Sequence, residues 1–256
     1  MRASASESVR QACAALGIAP APHPRLPLAW QIPDTARLAD LQARCRGALE
    51  IQDAASQGIA VLAEPRPGES WWDVCTGAGG KSLHLQELAG GRLSLWATDI
   101  RDSVLRECAR RARTAGVVLR LQRHDALQEA VPDRLFDGVL LDAPCSGTGT
   151  LRRNPEIKWR TRQQDIPAFA AAQKVILKNA SRAVQKGGRI IYCTCSLLPE
   201  ENENIINDFL KHEKNFSLAL STTSMSSRLF DQHGFLHTYP HRHNMDGFFG
   251  AVLKYQ

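Results

Sequence analysis

The chain has 256 residues, 43% of them hydrophobic and 23% charged, with a formal net charge of +6. That is enough apolar material for one sizeable core, so disorder is not expected. Seven cysteines without paired CxxC spacing, and no apolar run long enough for a secretory signal or a membrane helix, predict a reduced, soluble, cytoplasmic protein. The basic balance suits a polyanionic partner, because each phosphate neutralised by Lys or Arg releases condensed counterions.

The opening, Met1 to about Pro33, is rich in Ala, Ser, Arg and Pro. Glu7, Pro20, Pro22 and Pro24 argue against an acidic-poor transit peptide, so a short helix and an extended arm packed on the main body are expected. Residues 1–48 are assigned to this arm and residues 49–256 to a single domain. A first helix is predicted over Ala36–Leu62, ended by Pro65 and Pro67. Trp71–Cys75 is a short apolar run that stops at glycines, as a buried parallel strand should. Next come a helix over Gly80–Leu88, a strand over Leu93–Thr98, a helix over Ser103–Ala115 and strands over Val117–Leu121 and Phe136–Leu141. A long helix over Ile166–Gln185, closed by Gly187 and Gly188, leads to a strand over Arg189–Cys193. A helix over Glu200–Leu210 and a last strand over Phe248–Lys254 complete the pattern. Such alternation with short connections predicts a doubly wound α/β fold, whose parallel sheet binds ligands at the carboxyl ends of its strands.

Unusual residues sit just after those strands. Asp73-Val74-Cys75-Thr76-Gly77-Ala78-Gly79-Gly80-Lys81 is a glycine-rich turn opening onto a helix, where close backbone approach and free N–H groups favour a carboxylate or phosphate. Asp99 ends the second strand, where an acidic side chain can hold ribose hydroxyls, and Asp125 and Asp142 follow the third and fourth. Each aspartate taken singly could cap the next helix; their shared location favours a cofactor pocket. A dinucleotide site fits less well, because Ser82 stands where the third glycine or alanine of that fingerprint belongs.

Two thiols emerge from neighbouring strand ends, Cys145 in Asp142-Ala143-Pro144-Cys145-Ser146-Gly147-Thr148-Gly149 and Cys195 in Tyr192-Cys193-Thr194-Cys195-Ser196. A cysteine is more often a small buried hydrophobe than a nucleophile. That reading suits Cys13, Cys45 and Cys108, and also Cys193, expected to point to the opposite face from Cys195. Cys193-x-Cys195 lacks metal-site spacing and His241-x-His243 is isolated, so no metal is expected.

Asp142 to Trp159, reading DAPCSGTGTLRRNPEIKW, and Tyr192 to Glu203, reading YCTCSLLPEENE, resemble the Sun (RsmB-like, Fmu) family of RNA 5-methylcytosine methyltransferases. The resemblance extends to Ile51–Gln57, to the glycine turn and to Asp246-Gly247-Phe248-Phe249, covering about Leu49 to Lys254. It implies a Rossmann-like class I methyltransferase fold of about seven strands with the last antiparallel. It also implies S-adenosylmethionine held by Cys75, Thr76, Gly77, Ala78, Gly79, Gly80, Lys81, Asp99, Asp125 and Asp142. By matching position Cys195 adds to cytosine C6, Cys145 assists product release and Asp142 hydrogen-bonds the base near N3. Ribosomal RNA is the first expected substrate and transfer RNA the second, with no membrane partner and a monomer favoured.

A thiol ionises at neutral pH only in positive surroundings, for which Lys81, Arg152, Arg153 and Lys158 are candidates. The run from Arg152 to Arg162 holds five basic residues and Trp159, which suits single-stranded RNA with a base available to stack. Arg152, Arg153, Lys158 and Trp159 are the expected contacts, whereas Arg160, Arg162 and the helical stripe Arg106, Arg110 and Arg113 read as solvated surface. The family usually has Ala-Pro where this chain has Gly77-Ala78, which predicts a looser turn, and a glycine where it has His124. About fifty residues before the domain leave no room for the separate RNA-binding domain of many relatives. A non-catalytic RNA-binding or ribosome-assembly factor is the competing reading, against which both thiols argue.

Overall fold

The computed structural model describes residues 2–3, 7–26, 29–32, 37–45, 47–130, 133–221 and 223–256. Pro33 and Ala36, where the arm and first helix were placed, lie outside them. A strand covered on both faces must be apolar at nearly every position, and the central strands of the sheet follow such runs. Its strands are β1 (Ser70–Asp73), β2 (Ser94–Asp99), β3 (Arg120–Arg123), β4 (Phe136–Asp142), β5 (Val184–Thr194), β6 (Phe216–Ala219), β7 (Leu236–His237) and β8 (Phe249–Tyr255). They form one eight-stranded sheet of order β6-β8-β5-β4-β1-β2-β3, with β7 paired to β8. Strands β3, β2, β1, β4 and β5 are parallel, and β8 runs antiparallel to β5. This is the Rossmann-like arrangement with an antiparallel last strand. β6 and β7 are additions that no periodic pattern announced.

Among the described residues the helices of eight residues or more are α1 (Glu7–Ala15), α2 (Leu38–Cys45), α3 (Ala54–Leu62), α4 (Gly80–Leu88), α5 (Asp102–Thr114), α6 (Ile166–Ser181) and α7 (Glu203–His212). On one sheet face Ile176, Leu177 and Ala180 of α6 and Ile205, Ile206 and Phe209 of α7 bury Trp72, Phe136, Tyr192 and Phe249. On the other, Ile59 and Leu62 of α3 and Leu85 of α4 cover Trp71, Leu140 and Ile191. Each fully buried side chain of this size contributes roughly 1.5–3 kcal/mol. The strand ends that carry the chemistry are therefore anchored from both sides. Toward the N-terminus Val9, Cys13, Leu41, Cys45 and Leu49 make a satellite cluster, while Leu26 and Ala29 join the main core. Among the described residues no helix is long and apolar enough to cross a membrane.

Several expected boundaries are corrected. The helix over Ala36–Leu62 is two, α2 and α3, with residues Leu49–Glu50 between them paired to Arg2–Ala3. Gly47 at φ 89 breaks the first, and Asp53 starts the second by accepting the Ala55 N–H at 2.8 Å. β3 begins at Arg120 because the Val117 N–H closes α5 on the Ala112 carbonyl at 2.9 Å. α6 stops at Ser181, and Gly187 and Gly188 lie inside β5 where its register against β4 shifts.

Candidate active site

Strand order reverses between β1 and β4, and in such sheets the crevice beyond that point takes ligands. After β1, Gly77 (φ 55) and Gly79 (φ 81) are both left-handed, a conformation glycine adopts without steric cost. A Cβ on Gly79 would lie 2.4 Å from Cys108 Sγ, so α5 packs directly on the turn. Gly77 N–H donates to Asp99 Oδ2 at 3.0 Å. From α5, Arg111 donates to the Ala78 carbonyl at 2.6 Å and pairs with Glu50 at 2.7 Å. The Gly77-Ala78 turn is thus braced by side chains distant in sequence.

Burial acts upward on the Asp99 carboxyl, but the Arg101 guanidinium and the backbone N–H groups of Arg101 and Gly77 outweigh it and hold it below the usual range. Asp73 is buried and accepts Ser82 Oγ–H at 2.6 Å, while its Oδ1 has no partner. Burial pushes its carboxyl up to about 7. Thr76 Oγ1 meets Ser82 Oγ at 3.0 Å. Burial also raises the Cys75 thiol, with Asp73 and Asp99 adding to it. Asp125 closes its own turn by accepting the Leu127 N–H at 3.0 Å, and the buried His124 ring faces Glu129 at 3.0 Å.

At the end of β4, Asp142 Oδ2 accepts from Lys81 Nζ at 2.6 Å. Burial alone would lower the lysine, but Asp142 overrides it and raises Lys81, keeping a cation in the site. Its ammonium also lies 5.0 Å from the Phe248 ring centroid. Cys145 and Cys195, both half-buried free thiols, meet with Sγ atoms 3.5 Å apart. The hydrogen bond from Cys145 lowers the Cys195 thiol, and Lys81 acts in the same sense against burial and Asp142. The same contact, burial and Glu201 push Cys145 well above the ordinary value. The pair is asymmetric first because one thiol donates to the other, and Lys81 on the Cys195 side and Glu201 on the Cys145 side act in the same sense.

Cys193 does not face away from Cys195. Residues two apart along a strand share a face; both cysteines pack in the α3–α4 side cluster, and Cys193 Sγ lies 3.4 Å from Asp142 Oδ1. Arg153 Nε donates to Asp246 Oδ2 at 2.7 Å. Arg152 lies 3.6 Å from Asp53 and 3.7 Å from Asp246. Both arginines are thus partly engaged by an acidic pair, unlike Lys158, which sits 5.4 Å from the Trp159 ring, itself 82% exposed. Among the described residues no cluster of three His, Cys, Asp or Glu could hold a metal.

Several site residues carry no recognised signature of their own. Glu201, wholly buried, accepts from Ser146 and Ser196, the residues that follow the two cysteines. Gly149 N–H donates to the Cys195 carbonyl at 2.9 Å, and the Gly149 carbonyl accepts the Gly247 N–H at 2.8 Å. Asp246-Gly247-Phe248 thereby anchors the Cys145 loop, with Asp246 on Arg153, Gly247 on Gly149 and Phe248 beside Lys81. The only sequence signal was their membership in the matching motifs.

The profile of the family 16S rRNA methyltransferase RsmB/F matches residues 60–254. A probable ribosomal RNA small subunit methyltransferase B from Synechocystis sp. is 36% identical over 225 residues, 86% of this chain and 50% of its own length. A methyltransferase homolog protein from Pyrococcus horikoshii is 26% identical, with a TM-score of 0.80 over 98% of this chain and 84% of that one. NSun6 from Pyrococcus horikoshii, solved with SFG, is 28% identical with a TM-score of 0.75, over 89% and 59% of the two chains. The chain spans about half the length of the curated relatives it matches. Because the family profile and these relatives cover the sheet, the glycine turn and both thiol loops, the chain belongs to the RsmB/F family of 16S rRNA methyltransferases.

Proposed function

We propose that this chain is an S-adenosylmethionine-dependent RNA cytosine-C5 methyltransferase acting on ribosomal RNA, with residues 49–256 as the methyltransferase domain and residues 1–48 as a docked arm. The observation that carries this is the 3.5 Å contact between Cys145 and Cys195 at the ends of β4 and β5, beside a buried lysine. The residues present fit the cofactor. The turn from Cys75 to Lys81 is left-handed at two glycines, nothing lies within 4 Å of a Cβ on Gly77, and Asp73 Oδ1 is an unused acceptor next to it. These residues, with Asp99, Asp125 and Asp142, would hold it. That NSun6 was solved with SFG, an S-adenosylmethionine analogue, supports the same cofactor here. When bound, it supplies an electrophilic methyl group.

Cytosine C5 is a poor nucleophile. The Cys195 thiolate adds to C6, forming an S–C6 bond and moving the ring electron pair toward C5, while Asp142 holds the proton at N3. Lys81 favours the thiolate over the thiol. Cys145 keeps its proton and stands in hydrogen-bond contact with Cys195; when water takes the C5 proton, the C–H pair restores the C5=C6 bond, the S–C6 pair leaves on sulfur, and Cys145 stabilises the departing Cys195 thiolate by donating to it. The target base must be unpaired or flipped to reach either sulfur; of the four expected contacts, Lys158 and Trp159 would meet the strand that carries it, with Arg152 beside them, while Arg153 is held by the buried Asp246.

The test is labelled methyl transfer into ribosomal RNA. Wild-type protein yields 5-methylcytosine, Cys195→Ala yields none, and Cys145→Ala accumulates a covalent protein–RNA adduct. Product formation independent of Cys195 overturns the assignment. A protein that binds RNA but transfers no methyl group restores the reading as an assembly factor.

A further inference from the structure

Glu201 is 0% exposed, and a carboxylate is expensive to bury unless donors surround it. Four do. Oε1 accepts from the Ser146 backbone N–H at 2.8 Å and from Gln173 Nε2 at 3.1 Å. Oε2 accepts from the hydroxyls of Ser146 and Ser196, each at 2.5 Å. Ser146 directly follows Cys145 and Ser196 directly follows Cys195.

The clamp reaches the preceding residues as well. Gln173 also donates to the Pro144 carbonyl at 3.0 Å. Asn202 accepts from Thr194 Oγ1 at 2.5 Å and donates to the Ser196 carbonyl at 2.9 Å. Tyr192 O–H donates to the Glu201 carbonyl at 2.7 Å. Residues on both sides of both cysteines therefore converge on Glu201, Asn202 and Gln173. Two thiols on separate loops meet only if those loops are held relative to each other. A hydrogen bond fades within a few tenths of an ångström, so the 3.5 Å sulfur contact demands this rigidity.

We infer that Glu201 is a positioning residue, whose carboxylate ties the loops after β4 and β5 together so that Cys145 Sγ stays against Cys195 Sγ. The role given to the two thiols rests on the function proposed above; the clamp itself does not. Its test is therefore thiol chemistry rather than methyl transfer.

The rate of Cys195 alkylation by iodoacetamide is followed across pH by mass spectrometry of the Cys195 peptide. Wild type, Glu201→Ala, Glu201→Gln and Ser196→Ala are compared, with circular dichroism reporting the fold. Loss of the Cys145 hydrogen bond to the thiolate moves the alkylation midpoint of Glu201→Ala up by about one pH unit. Glu201→Gln keeps an acceptor for the Ser146 N–H, and both serine hydroxyls can rotate to accept from its amide, so it restores most of the wild-type profile. Ser196→Ala removes a single donor and moves the midpoint in the same direction by less.

An unchanged midpoint in folded Glu201→Ala overturns the inference. Should that variant not fold, an unchanged midpoint in Ser196→Ala does so instead. A shifted midpoint in a protein whose wild type transfers no methyl group would keep the clamp and discard the enzymatic reading.

Discussion

At the scale of single residues, the site separates two kinds of buried acid. Asp99 is buried but satisfied by Arg101 and backbone donors, and stays a carboxylate. Asp73 is buried with one oxygen unpartnered, and burial carries its carboxyl up to about 7. The folded state then keeps a proton that the unfolded chain, titrating at the ordinary carboxyl value of 3.8, has released. Its contribution to stability is full below about pH 4 and is lost as pH rises through about 7. Asp73→Asn, which still offers Ser82 an acceptor, should flatten this part of the stability profile between pH 4 and 7. Thermal melts of both proteins across that range check it, and parallel profiles would refute it. The two thiols part for a related reason: the one that accepts their shared hydrogen bond is lowered and the one that donates it is raised, with Lys81 and Glu201 acting in the same two directions.

At the scale of elements, the glycine turn is a joint between β1, α4 and α5 more than a local motif. Gly79 combines φ 81 with a projected Cβ contact of 2.4 Å to Cys108 Sγ. Gly79→Ala therefore meets a left-handed penalty of roughly 1–2 kcal/mol together with an overpacking term of about 1–3 kcal/mol. Adding Cys108→Ala should recover the second part only, since the backbone conformation is unchanged. Denaturant unfolding of the single and double variants checks this; full recovery would mean that packing alone demands the glycine. Gly149 makes a comparable joint between the Cys145 loop and the segment before β8, because a Cβ there would fall 1.9 Å from the Gly247 carbonyl.

At the scale of the whole molecule, a charge of +6 speaks for a polyanion, yet the arginines nearest the site are not its freest cations. Arg153 is bound to the buried Asp246, and Arg152 leans on Asp53 and Asp246. Lys158 stands beside the exposed Trp159. Lys158→Ala should accordingly reduce the slope of log affinity against log salt by about 0.7 for single-stranded RNA. Arg153→Ala should leave that slope nearly unchanged and lower the melting temperature, since it strands a buried carboxylate. Anisotropy titrations of labelled RNA at several salt concentrations, paired with melts, distinguish the two. Equal slope changes would return Arg153 to the RNA-contact surface.

Much of the fold was legible because it depends on local or periodic signals. Apolar runs such as Phe136–Asp142 can be buried only as central strands, a left-handed turn calls for glycine at 77 and 79, and an alternating chain has few topologies open to it. Boundaries failed where a closing hydrogen bond or a glycine inside an apolar run outweighed the pattern, as at Val117 and Gly47. The two cysteines could be put at one end of one sheet from their position after strands. Their contact, and the ties that hold it, came only from tertiary structure. Lys81 meets Asp142 across 61 residues, Ser146 meets Glu201 across 55, and Arg153 meets Asp246 across 93. No local period encodes such pairs; they follow from the sheet order that inserts β8 beside β5 and sets the Asp246–Phe248 segment against the Cys145 loop.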